Sequence, residues 1–316
     1  LERVKIDSIE NKSINKEQWS SIKDKFPYLY PNIEDANFAQ RISEKKEFND
    51  TKYDGAIHDV TNHAEKICNK KFELAPHQQF VKNFLSQETP YNSLLLYHGL
   101  GSGKTCTAIG VAEEMRSYMK QIGSNKSIIV VASPNVQENF KLQLFDPSKL
   151  ELVDGFWNIK NCVGNVFLNE VNPMKAKNIS KDKIISDMQK IINSYYSFYG
   201  YTEFANLIIK NSNIDSNLVK NREKYIRKQL NQIYSGRLLI IDEVHNIRIS
   251  DDNKDKRVAQ QLFKLVSEVN NLRLLLLSAT PLYNTYKEII WLMNIMNLND
   301  NRSITFIKDI FDKDGN

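Results

Sequence analysis

Long apolar runs, a cysteine framework and a strong charge bias are all missing from this 316-residue chain. Apolar stretches such as Leu94–Tyr97 and Leu274–Leu277 are far too short to cross a bilayer as a helix. No basic-then-apolar leader opens the sequence, which argues against secretion, and Leu1 in place of Met points to a trimmed or processed chain. Cys68, Cys106 and Cys162 are widely spaced and contain no C-x-x-C pair, so reduced thiols in an intracellular compartment are expected. His58, His63 and Cys68 follow one another in five-residue steps that fall on changing helix faces, a poor set for zinc. The net charge of +5 favours a polyanionic partner only mildly. Internal repeats are absent, and 41% apolar with 26% charged residues places the chain among globular rather than disordered proteins.

What is present falls into two textures. Residues 1–70 are polar and charged, with turn signals at Pro27, Pro31 and Gly55. The stretch from Tyr30-Pro31-Asn32 to Glu47-Phe48 mixes aromatics with acids and reads as an accessory or partner-docking element. From Phe72 onward, short apolar runs alternate with helical patterns, the signature of an α/β fold with a parallel sheet and crossover helices. Strands are expected at Ser93–Tyr97, Ser127–Ala132, Leu238–Ile241 and Leu272–Leu277, with a helix over Thr105–Met119. Val258, Leu262, Leu265, Val266 and Val269 recur at helical spacing. Between the second and third strands lies a mostly helical insertion, about 150–236, whose aromatic cluster Tyr195–Tyr199 reads as core. The lysine-rich stretch Lys175–Lys183 reads as a solvated face in preference to a nucleic-acid track.

Three motifs carry chemistry. Gly99-Leu100-Gly101-Ser102-Gly103-Lys104-Thr105 lies between a strand and a helix. Glycines let successive backbone N–H groups converge on a β-phosphate, and the helix N-terminus adds its positive dipole end. Lys104 then reaches the β- and γ-phosphates of ATP, Thr105 binds Mg²⁺, and Cys106 follows in the same first turn. The strict pattern G-x-x-x-x-G-K-[ST] has Gly where this chain has His98. In the second motif, the apolar run Leu238–Ile241 leads into Asp242-Glu243-Val244-His245. Asp242 would hold magnesium through its water shell, and Glu243 would orient and deprotonate the attacking water. Paired acids at the end of a buried strand are costly without a cation or donors. In the third, Leu277-Ser278-Ala279-Thr280-Pro281, Ser278 and Thr280 can bond back to the acids through His245 and couple the γ-phosphate to a neighbouring domain. Alone, that motif could be an N-cap followed by Pro.

Together these motifs resemble superfamily 2 helicases over about residues 72–298, and HGLGSGKT, DEVHNIR and LLSATPLYN look like the poxvirus-type group of large DNA viruses. That group includes the small subunit of the early transcription factor and nucleoside triphosphate phosphohydrolase I. The resemblance implies a RecA-like P-loop domain over 71–298, with a central, mostly parallel sheet and ATP at its carboxyl ends. Residues 299–316 would then begin a linker to a second RecA-like domain, for which too few residues remain after Pro281. In Leu74-Ala75-Pro76-His77-Gln78, Gln78 falls where the family reads adenine, with Phe72 as stacking partner. Ser133-Pro134-Asn135 matches the motif that contacts one nucleic-acid strand. The implied activity is DNA-stimulated ATP hydrolysis in viral transcription or DNA processing, with the viral RNA polymerase or another transcription-factor subunit as partner. A non-unwinding transcription-factor ATPase and an RNA helicase are the alternatives. Virion and host cytoplasm are the implied locations, without a membrane partner. Without a second domain to supply an arginine finger, the chain alone is expected to bind ATP, hydrolyse it slowly and unwind nothing.

Overall fold

The computed structural model describes residues 29–53, 55, 59, 73–99, 101–213, 222–247, 256–281 and 288–311. The chain divides into two compact units, Leu1–Asp50 and Thr51–Asn316. In the first, the short helices α1 (Phe38–Ser43) and α2 (Lys46–Asn49) follow a turn. An Arg41–Asp35 ion pair of 2.6 Å and a hydrogen bond from the Tyr30 hydroxyl to Glu47 hold that turn. His58, His63 and Cys68 lie outside the described residues.

In the second unit, α3 (Pro76–Phe84) precedes β1 (Ser93–Tyr97), α4 (Lys104–Gln121), β2 (Ile128–Val131) and α5 (Pro134–Leu144). An antiparallel hairpin of β3 (Leu150–Val153) and β4 (Phe156–Ile159) then leads into α6 (Val166–Val171) and α7 (Lys181–Tyr195). The chain continues through β5 (Tyr196–Tyr199), α8 (Tyr201–Asn211), α9 (Arg222–Tyr234), β6 (Leu238–Ile241), α10 (Lys256–Glu268), β7 (Arg273–Ser278) and α11 (Glu288–Asn299). The central sheet has the order β1-β7-β6-β2-β5, parallel at every pairing among the described residues.

The inner strands are continuously apolar because helices cover both faces of the sheet. Ile129, Val131, Leu239, Ile241, Leu274 and Leu276 pack into one core with Phe204 and Ile208 of α8, Leu230 of α9, Leu262 of α10 and Ile295 of α11. Their alternates Ile128, Val130, Ile240, Leu275 and Leu277 are equally buried and point to the other face by the two-residue strand period. There α4, with Ala108, Ile109, Ala112 and Met119 buried, packs against β2 and β6. Each such side chain contributes about 1.5–3 kcal/mol on burial. The architecture is a RecA-like α/β sheet, and the four expected strands and the helix after the glycine loop are all present.

Two expectations are corrected. The segment between β2 and β6 is not simply a helical insertion, because β5 joins the central sheet beside β2, from Ile128↔Tyr196 to Val131↔Tyr199. As the outermost described strand, β5 needs no continuous apolar run, and its Tyr-Ser-Phe-Tyr pattern hides it from a search for one. Second, Cys106 on α4 and Cys162 are joined in a disulfide, with Cα atoms 5.2 Å apart, rather than being separate thiols. They are 56 residues apart in sequence, and only the folding of the 150–195 segment back onto α4 brings them together. The same segment grips α4 further along. Buried Arg116 bonds Glu113 at 2.7 Å and Glu170 of α6 at 2.8 Å, and its guanidinium sits over the rings of Phe167 and Tyr195. Burial opposes the Arg116 charge, but Glu170 and Glu113 outweigh it and hold the guanidinium pKa above its ordinary value.

At the amino ends of the strands, Arg273 donates to the carbonyl of Tyr91 and, at 3.0 Å, to that of Thr89. Nearby, Asp300 accepts from the Ser93 hydroxyl at 2.9 Å. Burial pushes the Asp300 carboxyl up to about 6 and Arg273 down to about 10. Folded Asp300 therefore keeps its proton to higher pH than in the unfolded chain, so its burial weakens the fold as pH rises from about 4 through about 6, beyond which the effect is constant. Asp300→Asn is expected to flatten that dependence, with the stability difference between pH 4.5 and 7.5 changing by roughly 2 kcal/mol in urea titrations. A residual slope of the same sign would come from Asp242, whose carboxyl is also raised to about 6.

Candidate nucleotide site

Because the strands are parallel, their carboxyl ends share one rim, and every motif of the sequence leaves the sheet there. Beyond β1, Gly101 and Gly103 take φ of +79° and +77°. The φ of Gly103 favours glycine at that point, and a Cβ there would lie 2.6 Å from Nε2 of Gln78 and displace that amide. The Ser102 hydroxyl donates to the Gly99 carbonyl at 2.8 Å. Lys104 opens α4, and its Nζ donates back to the carbonyls of His98 at 2.8 Å and Gly99 at 3.2 Å, lying across the loop. Thr105 and Cys106 follow, half-buried. His98, the departure from the strict pattern, packs edge-on against His77 with ring centroids 5.4 Å apart. Burial, then the charges of His77 and Lys104, lower its pKa and favour neutral imidazole. Leu100 and Phe72 lie outside the described residues.

The structure does bring Gln78 to this loop. It is 8% exposed, its Nε2 donates to the Gly103 carbonyl at 3.3 Å, and its Oε1 accepts from Ala75 N at 3.0 Å. The amide thus joins the start of α3 to the glycine loop, a contact that its position before the first strand does not reveal.

From β6, the Asp242 N–H continues the sheet by donating to the Val131 carbonyl at 3.0 Å. Asp242 is 6% exposed and accepts from the Glu243 N–H at 2.8 Å. Burial drives its carboxyl up to about 6, and the Glu243 N–H and the Lys104 charge offset this only in part. Glu243 itself has φ +49°, a left-handed backbone that costs a non-glycine residue about 1–2 kcal/mol and is seldom kept without cause. Its Oε2 is buried without a hydrogen bond, 3.3 Å from His245 Nδ1. His245 Nδ1 in turn lies 3.1 Å from the hydroxyl of fully buried Ser278, which accepts from the Thr280 N–H at 3.0 Å. Thr280 thus enters this relay through its backbone, and its side chain is exposed. A buried carboxylate with a raised pKa, an unsatisfied carboxylate oxygen beside it and a glycine cradle opposite form a donor set that fits a hard divalent cation with a polyphosphate.

Ser133 stands at the N-cap position of α5 at the end of β2, without a side-chain capping bond, and Pro134 and Asn135 are exposed. The structure adds a residue that the sequence reading missed. Tyr201, at the start of α8 beyond β5, donates its hydroxyl to the Asp242 carbonyl at 2.8 Å and accepts from Asn246 Nδ2 at 3.5 Å. One phenol therefore holds the acidic turn at two points, Asp242 and Asn246. The signal was available only to a reader who already had β5 as a strand, since Tyr201 is then the residue leaving its rim end. Tyr201→Phe should keep the fold, lower ATP turnover roughly five- to tenfold and leave nucleotide Kd within about twofold, as measured by steady-state kinetics and nucleotide titration.

Comparison with known proteins places this arrangement in a family. The SNF2-related domain model matches residues 77–314. A protein named "Putative ATP-dependent RNA helicase" from Acanthamoeba polyphaga mimivirus is 30% identical over 272 residues, covering 84% of this chain and 39% of the relative. A "Putative helicase" from Invertebrate iridescent virus 3 is 26% identical over 231 residues, covering 71% of this chain and 20% of the relative. An "Early transcription factor large subunit homolog" from African swine fever virus is 23% identical over 341 residues, covering 84% of this chain and 30% of the relative. The chain thus spans between a fifth and two-fifths of the length of these relatives. It belongs to the SNF2-related domain family and is a helicase-type ATPase domain.

Proposed function

We propose that this chain is the Mg-ATP-hydrolysing domain of a viral DNA helicase or translocase that moves on or remodels nucleic acid during transcription. The observation that carries the reading is the shared rim: the glycine loop, Asp242-Glu243 and Ser278 leave parallel strands at the same edge of one sheet. Lys104 adds positive charge at the β- and γ-phosphates, and backbone N–H groups from Gly99 to Cys106 cradle the chain of phosphates. When bound, magnesium held by Thr105 and Asp242 supplies electrostatic stabilisation of phosphate charge. Glu243 orients the attacking water and takes its proton, and its buried, unsatisfied Oε2 suits that role. His245, Ser278 and the Thr280 backbone relay the state of that acid to a second RecA-like domain. Gln78, with Phe72, reads adenine from the side of α3, and Ser133, Pro134 and Asn135 contact a phosphate backbone at the end of β2.

The African swine fever virus relative favours a second reading, in which the same ATPase remodels transcription complexes without separating strands, with the viral polymerase or another factor subunit as partner. The location proposed for either is the virion and host cytoplasm. Comparing ATPase stimulation by single-stranded DNA, duplex DNA and RNA separates a DNA motor from an RNA helicase. By the same reading the 316-residue chain alone turns over ATP slowly, and robust strand separation by it in a fluorescence unwinding assay overturns that expectation.

Two substitutions test the chemistry. Glu243→Gln is expected to retain ATP binding while turnover falls about 100-fold or more, and unchanged turnover removes Glu243 as the base. Lys104→Ala should weaken nucleotide binding by at least about tenfold and lower turnover as well, both read by titration with a fluorescent ATP analogue and phosphate release.

A further inference from the structure

We infer that Cys106 and Cys162 form a reversible thiol–disulfide site that pins the first turn of the phosphate-loop helix and slows nucleotide exchange when oxidised. Four observations meet at this point. The two Cα atoms are 5.2 Å apart, within the range that a disulfide spans without backbone movement. Cys106 is the third residue of an 18-residue helix and directly follows Lys104 and Thr105, so a bond at its sulfur acts on the first turn of that helix. Cys162 is 6% exposed, and its Sγ lies 3.3 Å from Oε1 of Gln143, an acceptor ready for the S–H of the reduced form. Its neighbour Asn161 is anchored by donating to the Leu144 carbonyl at 2.6 Å and accepting from Val163 N at 3.1 Å, so the sulfur is held on a fixed turn. Both oxidation states are thus accommodated by groups already in place.

The oxidant class is a small-molecule disulfide. The Cys106 thiol attacks one of its sulfurs and expels a thiolate, which takes up the proton that Cys106 gives up. Cys162, giving its proton to the second leaving thiolate, then attacks the Cys106 sulfur of the mixed disulfide. Two protein thiols lose two electrons to the small disulfide, which becomes two thiols. The new bond closes a loop of 56 residues and ties α4 to the turn that carries Cys162. The tether sits on the residue after Thr105, beside the N–H groups and lysine that face the phosphates. The other grip on α4, Arg116 and Lys120 on Glu170, lies more than two turns further along and holds in both states. Oxidation therefore adds constraint at the end of α4 that carries the proposed nucleotide contacts.

The inference rests on the proposed ATP site, and the test keeps the two separable. The 316-residue chain is equilibrated with glutathione disulfide or dithiothreitol, denatured, and alkylated with N-ethylmaleimide before intact-mass measurement. Three adducts are expected after reduction, and one, on Cys68, after oxidation. Release of a fluorescent ATP analogue with magnesium is expected to be at least about threefold slower in the oxidised chain, with a melting temperature raised by roughly 5 °C, both reversed by dithiothreitol. Cys162→Ser, and Cys162→Ala as a second variant, should behave as the reduced chain under either condition. Equal adduct counts under both conditions, or release rates that do not respond to oxidation of the wild-type chain, overturn the inference. Failure to bind the analogue in either state overturns the nucleotide reading and the exchange effect with it, while the adduct count still decides whether the bond forms.

Discussion

Asp242 is a carboxylate driven into a sheet rim that water barely reaches. Burial raises its pKa to about 6, and the Glu243 N–H and the Lys104 charge do not bring it back. A protein keeps such a group only where something else completes it, and the remaining features of the rim are arranged around that need. Glu243 accepts a left-handed backbone so that a second acid follows the first without a spacer. Its Oε2 remains buried and unbonded beside His245, and the His245–Ser278 contact ties that oxygen's surroundings to the neighbouring strand. The sheet core of Leu, Ile and Val on both faces is the rigid support that keeps these groups from relaxing apart.

The second constraint is topological. Five strands in one direction make five chain ends converge, so residues far apart in sequence become neighbours without any local signal. Tyr201 shows the consequence: a side chain from beyond β5 hydrogen-bonds the carbonyl of Asp242 and the amide of Asn246. The segment leading into β5 also returns to α4, through Cys162 at its start and Glu170 further along. The helix that bears the phosphate loop is thereby braced from two sides, by the sheet and by this segment. A family model that matches residues 77–314 describes the shared sheet.

How much could be read in advance followed from local pattern. The strands β1, β2, β6 and β7 announce themselves as apolar runs bounded by turn signals, and the helix after the glycine loop as its continuation. The glycine loop, the paired acids and Ser278 were legible because each combines a residue type with a strand end. Strand β5 was not, since its Tyr-Ser-Phe-Tyr pattern serves an outer strand and resembles neither template. Missing it turned the segment into an insertion and left Tyr201 without a place. The Cys106–Cys162 pair was invisible for a different reason. Cysteine spacing carries information only within a local motif, and here 56 residues of intervening fold set the distance.

By itself, then, the sequence determined the chemistry at each strand end: which residues can cradle phosphates, which can hold a cation and which can take a proton. These depend on side-chain type and on backbone freedom within a few residues, as at Gly101 and Gly103. Only the tertiary structure decided which of those ends lie together, that Gln78 Nε2 donates to the glycine loop, and that a tyrosine and a cysteine pair complete the surroundings. Strand order and the return of a long segment onto a helix are settled by the packing of whole faces, where burial is summed over many side chains and no short stretch of sequence records the outcome.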